Sequence, residues 1–157
     1  AKAISAMGAR GKVIERACPL FVPLAEEGWA DSDVARVVAR DYLHDFSEEP
    51  PAALVLGCTH YPILSNVIGE TVGSEVKLID SGAATAHDVE SLLESSDLTH
   101  EDALGLYQER QLCDDLDHFY VTDAAERFAK VAERFLGSAP SILEAVEIWG
   151  HDELRTH

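Results

Sequence analysis

A thiol, a hydroxyl and an imidazole follow one another at Cys58, Thr59 and His60, just after a short apolar run and Gly57. Gly57 allows the backbone to turn sharply there. A cysteine between a strand end and a helix start lies near unpaired N–H groups and the positive end of the helix dipole. Both favour the thiolate. Thr59 adds a hydroxyl and an N–H suited to a carboxylate. His60 can take up or release a proton near neutral pH. Such a turn can move protons. It suits a Cys-His hydrolase less well, because there the base usually comes from elsewhere in the fold.

The plainer readings apply to most of the other candidates. A lone cysteine is commonly a small buried hydrophobe. Cys18, within Ala17-Cys18-Pro19-Leu20-Phe21-Val22, reads as packing. Cys113 stands next to Asp114 and Asp115, whose charge disfavours a thiolate. Cys58 and His60 are too close on one turn to be half of a tetrahedral zinc site, and no matching pair occurs elsewhere. His44, His87, His100, His118, His151 and His157 show no metal spacing. A metal site is not expected from these residues. Most acidic residues read as solvated helix faces.

The elements that must position the turn alternate between the two hydrophobic periods. Ala30-Asp31-Ser32 marks a helix start. Val34, Val37, Val38, Tyr42 and Phe46 follow at helical spacing, which predicts an amphipathic helix over 32–46. Ala52–Leu56 reads as a buried strand. Pro62 suits the first turn of a helix reaching about Ile68. Val76–Ile79 reads as the next strand, Asp80-Ser81-Gly82 as a turn, and 84–93 as a helix. His118–Val121 reads as a strand. Asp123 is placed to cap a helix over 124–136 that stops at Gly137. Ile142–Trp149 reads as a last strand. The opening stretch 1–23 shows no obvious helix or strand start. Strand, turn and helix in repetition predict an α/β fold with a largely parallel sheet. Ligands of such sheets gather at the carboxyl ends of strands, where the 57–60 and 80–82 turns fall.

Composition narrows the function classes. With 46% apolar and 26% charged residues, the 157-residue chain can bury a core of one or two small domains. Its 29 acidic against 12 basic side chains give a net charge of −17. That surface repels phosphate backbones, so nucleic acid is not an expected partner. It offers no long-range attraction to a small anion either, so local donors would have to hold one. No apolar run approaches the roughly 20 residues that span a bilayer, so no membrane association is expected. Nothing at the head of the chain reads as a signal segment. Three scattered cysteines form no framework, and free thiols in the cytoplasm are expected. Residues 1–80 carry a net −5 and residues 81–157 a net −12, which suggests a boundary near Asp80.

At the turn the sequence also resembles a known family. Leu56-Gly57-Cys58-Thr59-His60-Tyr61-Pro62-Ile63-Leu64 resembles the second cysteine motif of glutamate racemases. The segment Ala17–Gly28 is similar to the block before that motif, and Leu78–Ala86 to the block after it. Phe119–Asp123, Arg127-Phe128 and Phe135–Gly137 resemble the family's C-terminal end. The resemblance implies doubly wound, parallel-sheet domains of the aspartate/glutamate racemase type. It implies interconversion of L- and D-glutamate by proton transfer at Cα between two cysteines, with neither pyridoxal phosphate nor another cofactor or metal, supplying D-glutamate for peptidoglycan. Carried over by position, Cys58 is the second cysteine, His60 assists its proton transfer, Thr59 binds substrate and Glu26 lines the site.

The family's first cysteine and an N-terminal Asp-Ser-Gly have no counterpart in these residues. The chain therefore looks like a C-terminal half. Residues 1–80 would belong to the second racemase domain, and 81–157 would return to complete the first. An N-terminal half carrying the first cysteine is an expected partner. Homodimers and regulation by a cell-wall precursor occur in the family. Two alternatives stay open: a racemase of the aspartate or hydantoin type, and a non-catalytic fragment that needs a partner chain.

Overall fold

A computed structural model describes residues 6, 8, 11–99, 113–114 and 116–147. The chain forms two compact units, Ala1–Asp88 and Val89–His157. In order, the described elements are helix α1 (Phe21–Glu26), α2 (Asp33–Glu48), strand β1 (Ala53–Leu56), a 3-10 turn (Tyr61–Leu64), α3 (Ser65–Val72), β2 (Lys77–Asp80), α4 (Ser81–Ser95), β3 (His118–Val121), α5 (Ala125–Leu136) and β4 (Ile142–Ala145). The division between units falls within α4. The alternation is that of an α/β fold, and both sheets are parallel.

In the first unit, Ser32 holds extended backbone and starts α2. Its Oγ accepts the Ala35 N–H at 3.1 Å and its hydroxyl donates to the Trp29 carbonyl at 2.7 Å. The buried face of α2 is Ala35, Ala39, Leu43 and Phe46, at spacings of three and four. Of the expected stripe, Phe46 is buried and Val38 and Tyr42 pack against the core, whereas Val34 is 49% exposed and Val37 63%. The reason is steric. Two alanines let the backbone of α2 approach its neighbour α3 closely, where two valines would hold it off. α3 answers with Val67, Ile68 and Val72, and Leu64 of the 3-10 turn completes the contact.

The helix after Pro62 is longer than its pattern predicts. It begins as the 3-10 turn, becomes α-helical at Ser65 and runs to Val72, where Gly73 adopts a left-handed φ of 94°. Helix α1 is an addition to the sequence reading. At six residues it is too short to show periodicity, and it folds by burying Phe21, Leu24 and Ala25.

β1 and β2 pair in parallel, with Ala53 opposite Lys77 and Leu56 opposite Asp80. The apolar run at 52–56 reads as a fully buried strand, yet only one of its faces is covered. Leu56 is buried, whereas Val55 is 47% exposed. No separate turn follows β2. The Asp80 carboxylate accepts the Gly82 and Ala83 N–H groups at 2.7 and 3.2 Å, so α4 starts at once. No residue of α4 is buried, and Leu92 is 63% exposed.

In the second unit, β3 and β4 pair in parallel, with His118 opposite Ile142 and Val121 opposite Ala145. Phe119 and Phe128 meet at 6.3 Å, and Val121 and Ala132 are buried. The expected Asp123 cap is not made. Ala124 precedes α5 in left-handed backbone, and the Asp123 carboxylate accepts its neighbour's N–H at 2.7 Å, with no side-chain bond capping the helix. Gly137 ends α5 as its type suggests, with φ 82°. β4 covers Ile142–Ala145, shorter than the 142–149 expected, and Trp149 lies outside the described residues.

Leu64 is fully buried at the junction of α1, α2 and α3. Leu64→Ala is expected to cost about 2–5 kcal/mol in urea unfolding, and Val37→Ala on the open face of α2 less than about 0.5 kcal/mol.

Candidate functional site

The β1–β2 register decides where the site lies. With Leu56 opposite Asp80, the turn that leaves β1 and the start of α4 stand side by side at the carboxyl ends of the strands. The Ser81 hydroxyl fastens them by donating to the Leu56 carbonyl at 3.0 Å. The Cys58 carbonyl accepts the Tyr61 N–H at 3.1 Å, which closes the turn and uses one of the donors expected to favour a thiolate.

Within the turn the three side chains converge on one ring nitrogen. His60 Nδ1 lies 3.2 Å from Thr59 Oγ1 and 4.0 Å from Cys58 Sγ. Glu26, at the last position of α1, places Oε1 3.3 Å from His60 Nε2. Both side chains are three-quarters covered, with 22% of His60 and 26% of Glu26 exposed. With its proton on Nε2, His60 donates to Glu26 and leaves Nδ1 an acceptor facing the hydroxyl and the thiol. A carboxylate behind an imidazole fixes the tautomer in this way in many proton-transfer sites. The four residues singled out from the sequence thus meet: Cys58, Thr59 and His60 on one turn, and Glu26 from an element 34 positions upstream of His60.

The other cysteines are placed differently. Cys18 is buried at 4% exposure, and burial pushes its thiol pKa up. Cys113 is buried and its N–H donates to Asp117. Among the described residues, no three His, Cys, Asp or Glu side chains are grouped to hold a metal ion. Likewise among them, no helix is long and apolar enough to cross a membrane. A surface groove of about 230 Å³ between α1 and α2 is lined by Leu20, Pro23, Leu24, Glu27, Trp29, Val34 and Val38, none of them at the turn.

Two residues that support the site were not singled out from the sequence. Tyr61 donates its hydroxyl to the Cys18 carbonyl at 3.2 Å and sets its ring edge-on to Phe21 at 5.4 Å. Ser81 makes the tie to Leu56. A serine that directly follows a strand-end aspartate was a readable signal for the second. No local signal existed for the first.

The chain is similar to known proteins. No family model matches the chain. A glutamate racemase from Geobacter metallireducens is 46% identical over 138 residues, covering 87% of this chain and 47% of that protein. The solved glutamate racemase of Thermus thermophilus, in complex with beta-chloro-D-alanine, superposes with a TM-score of 0.70 at 39% identity. It covers 85% of this chain and 47% of its own. In sequence and fold, the chain matches the C-terminal half of the glutamate racemases. The glutamate racemase of Francisella tularensis, solved in complex with D-glutamate, gives a TM-score of 0.71 at 32% identity over 89% of this chain and 49% of that one. The chain spans about half the length of the racemases it matches.

The contrast between the cysteines is measurable. Iodoacetamide at pH 8 is expected to label Cys58 well before Cys18, as read by peptide mass spectrometry. Because burial raises the Cys18 pKa, its neutral thiol supports the fold at lower pH. That support is lost as pH rises beyond roughly 8.5. Cys18→Ala should flatten the fall of melting temperature between pH 8 and 10.

Proposed function

We propose that this chain supplies one of the two proton-transfer faces of a glutamate racemase. The observation that carries the reading is the shared imidazole: His60 stands between the Glu26 carboxylate and the Cys58 thiol at the carboxyl end of β1. The similarity to glutamate racemases supports glutamate as the substrate.

Racemisation removes the α-proton of an amino acid from one face and returns a proton to the other. Cys58 Sγ, as thiolate, takes the Cα proton of L-glutamate and becomes a thiol. An opposing acid gives its own proton to the other face of the carbanion. In the reverse direction Cys58 is the donor. His60 Nδ1 accepts the thiol proton between turnovers, and Glu26 stabilises the imidazolium that forms. Thr59 offers its hydroxyl and N–H to a substrate carboxylate. These local donors matter because a net charge of −17 provides no long-range pull on a dianion. No cofactor is needed for this chemistry, though the carbanion must be stabilised electrostatically.

The opposing acid belongs to the N-terminal half that the racemase relatives carry. Two features favour such a partner. β1 exposes Val55 on its open face, and parallel strands usually bury both faces. Two-stranded sheets are also marginal by themselves. In this reading residues 1–80 belong to one racemase domain and 81–157 complete the other. The D-glutamate would feed peptidoglycan in the cytoplasm. A homodimer and a cell-wall precursor as regulator follow from the family alone.

Exchange of the glutamate α-proton in D2O, followed by NMR, tests the proposal. The 157-residue chain alone is expected to show no exchange above background. Joined to the N-terminal half of the Geobacter metallireducens racemase, it should exchange both enantiomers. Cys58→Ala should lower that rate at least about 100-fold. Full activity of the alanine variant would remove Cys58 from the mechanism.

A further inference from the structure

We infer that Tyr61 is a positioning residue of the proton site: its hydroxyl and ring hold the Cys58–His60 turn against α1, so that Glu26 meets His60. The inference rests on the proposal that Glu26 orients His60, and adds the device that sets their separation.

Glu26 and His60 come from elements with no backbone bond joining them at the site. Their distance therefore depends on how the turn is docked on α1. Tyr61 directly follows His60 and reaches the opposite end of α1. Its hydroxyl donates to the Cys18 carbonyl, which also accepts the Phe21 N–H at 3.1 Å. Its ring stands edge-on to Phe21, the first residue of α1 and 1% exposed. On its other side Phe21 meets Tyr42 of α2 at 5.6 Å, also edge-on. Glu26 sits at the far end of the same six-residue helix. A helix so short has no independent stability, and these contacts fix its place. The Tyr61 hydroxyl ties the turn bearing His60 to the Cys18 carbonyl, three residues before α1 begins.

Removing that hydroxyl should leave the fold standing. The Cys18 carbonyl keeps its bond from the Phe21 N–H, and a phenylalanine ring keeps the edge contact. What loosens is the docking of the turn, and with it the Glu26–His60 pair.

The test uses the 157-residue chain with Tyr61→Phe, Tyr42→Phe and Glu26→Gln. Tyr42→Phe is the control for packing. It removes the other hydroxyl beside Phe21, which accepts the Leu20 N–H at 3.3 Å, without touching the turn. Two readouts are followed at 10 °C: the imidazole 15N signature of His60, which separates the two tautomers, and the iodoacetamide labelling rate of Cys58. Circular dichroism checks folding. Tyr61→Phe is expected to mix the tautomers and slow labelling roughly fivefold, the weight of one hydrogen bond. Glu26→Gln should do the same or more, and Tyr42→Phe should match the parent chain. A p-aminophenylalanine at position 61, which restores a donor, should recover the parent behaviour. Tyr61→Phe matching the parent while Glu26→Gln changes both readouts would overturn the positioning role alone. Equal losses in Tyr61→Phe and Tyr42→Phe, or failure of the amino analogue to recover, would also overturn it. An unchanged Glu26→Gln would overturn the Glu26–His60 reading, and the inference with it.

Discussion

The site depends first on a register. Four backbone positions of β1 lie opposite four of β2, and the last pair is Leu56 with Asp80. Parallel pairing requires a crossover, and the 3-10 turn with α3 provides it. Both strands therefore end at the same edge. A shift by one residue would turn Leu56 out of the core and swing the Cys58–His60 turn away from the start of α4. The Ser81 hydroxyl bonded to the Leu56 carbonyl, and the Asp80 carboxylate capping α4, hold this edge from the other strand. The Cys58–His60 turn is mounted on that edge.

The core then decides what the edge can meet. Ala35 and Ala39 draw α2 onto α3, and Leu64, Val67 and Ile68 fill the space between them. This packing leaves room for α1, which does not hold itself in place. Phe21 lies between Tyr42 and Tyr61, and its helix ends at Glu26. A carboxylate from one short element is thereby set against an imidazole from another. The apolar groove over Trp29 and Val34 lies on the outer side of the same helices and takes no part in the site.

Each unit keeps uncovered surface of a kind that complete α/β domains cover. In the described residues, both sheets have two strands, α4 buries no side chain, and Val55 and Tyr120 remain open. The racemases that match the chain are about twice its length.

Much of this was legible locally. Gly57-Cys58-Thr59-His60 after an apolar run fixed the strand-end turn, because glycine and strand period are local properties. Ser32 marked the start of α2, and Gly137 the end of α5. Val34 and Val37 of the α2 stripe misled, since which face is buried depends on how closely a neighbour approaches, and α3 prefers the alanines. Asp123 misled because Ala124 takes a left-handed backbone that turns the helix start away. α1 and the Tyr61–Cys18 bond had no local signal at all. The sequence by itself determined the chemistry of the turn and the α/β order of elements, both set by residue type and short-range spacing. Only the tertiary structure decided that Glu26 would face His60, because that contact spans 34 positions and exists only once α1 is packed against the 3-10 turn.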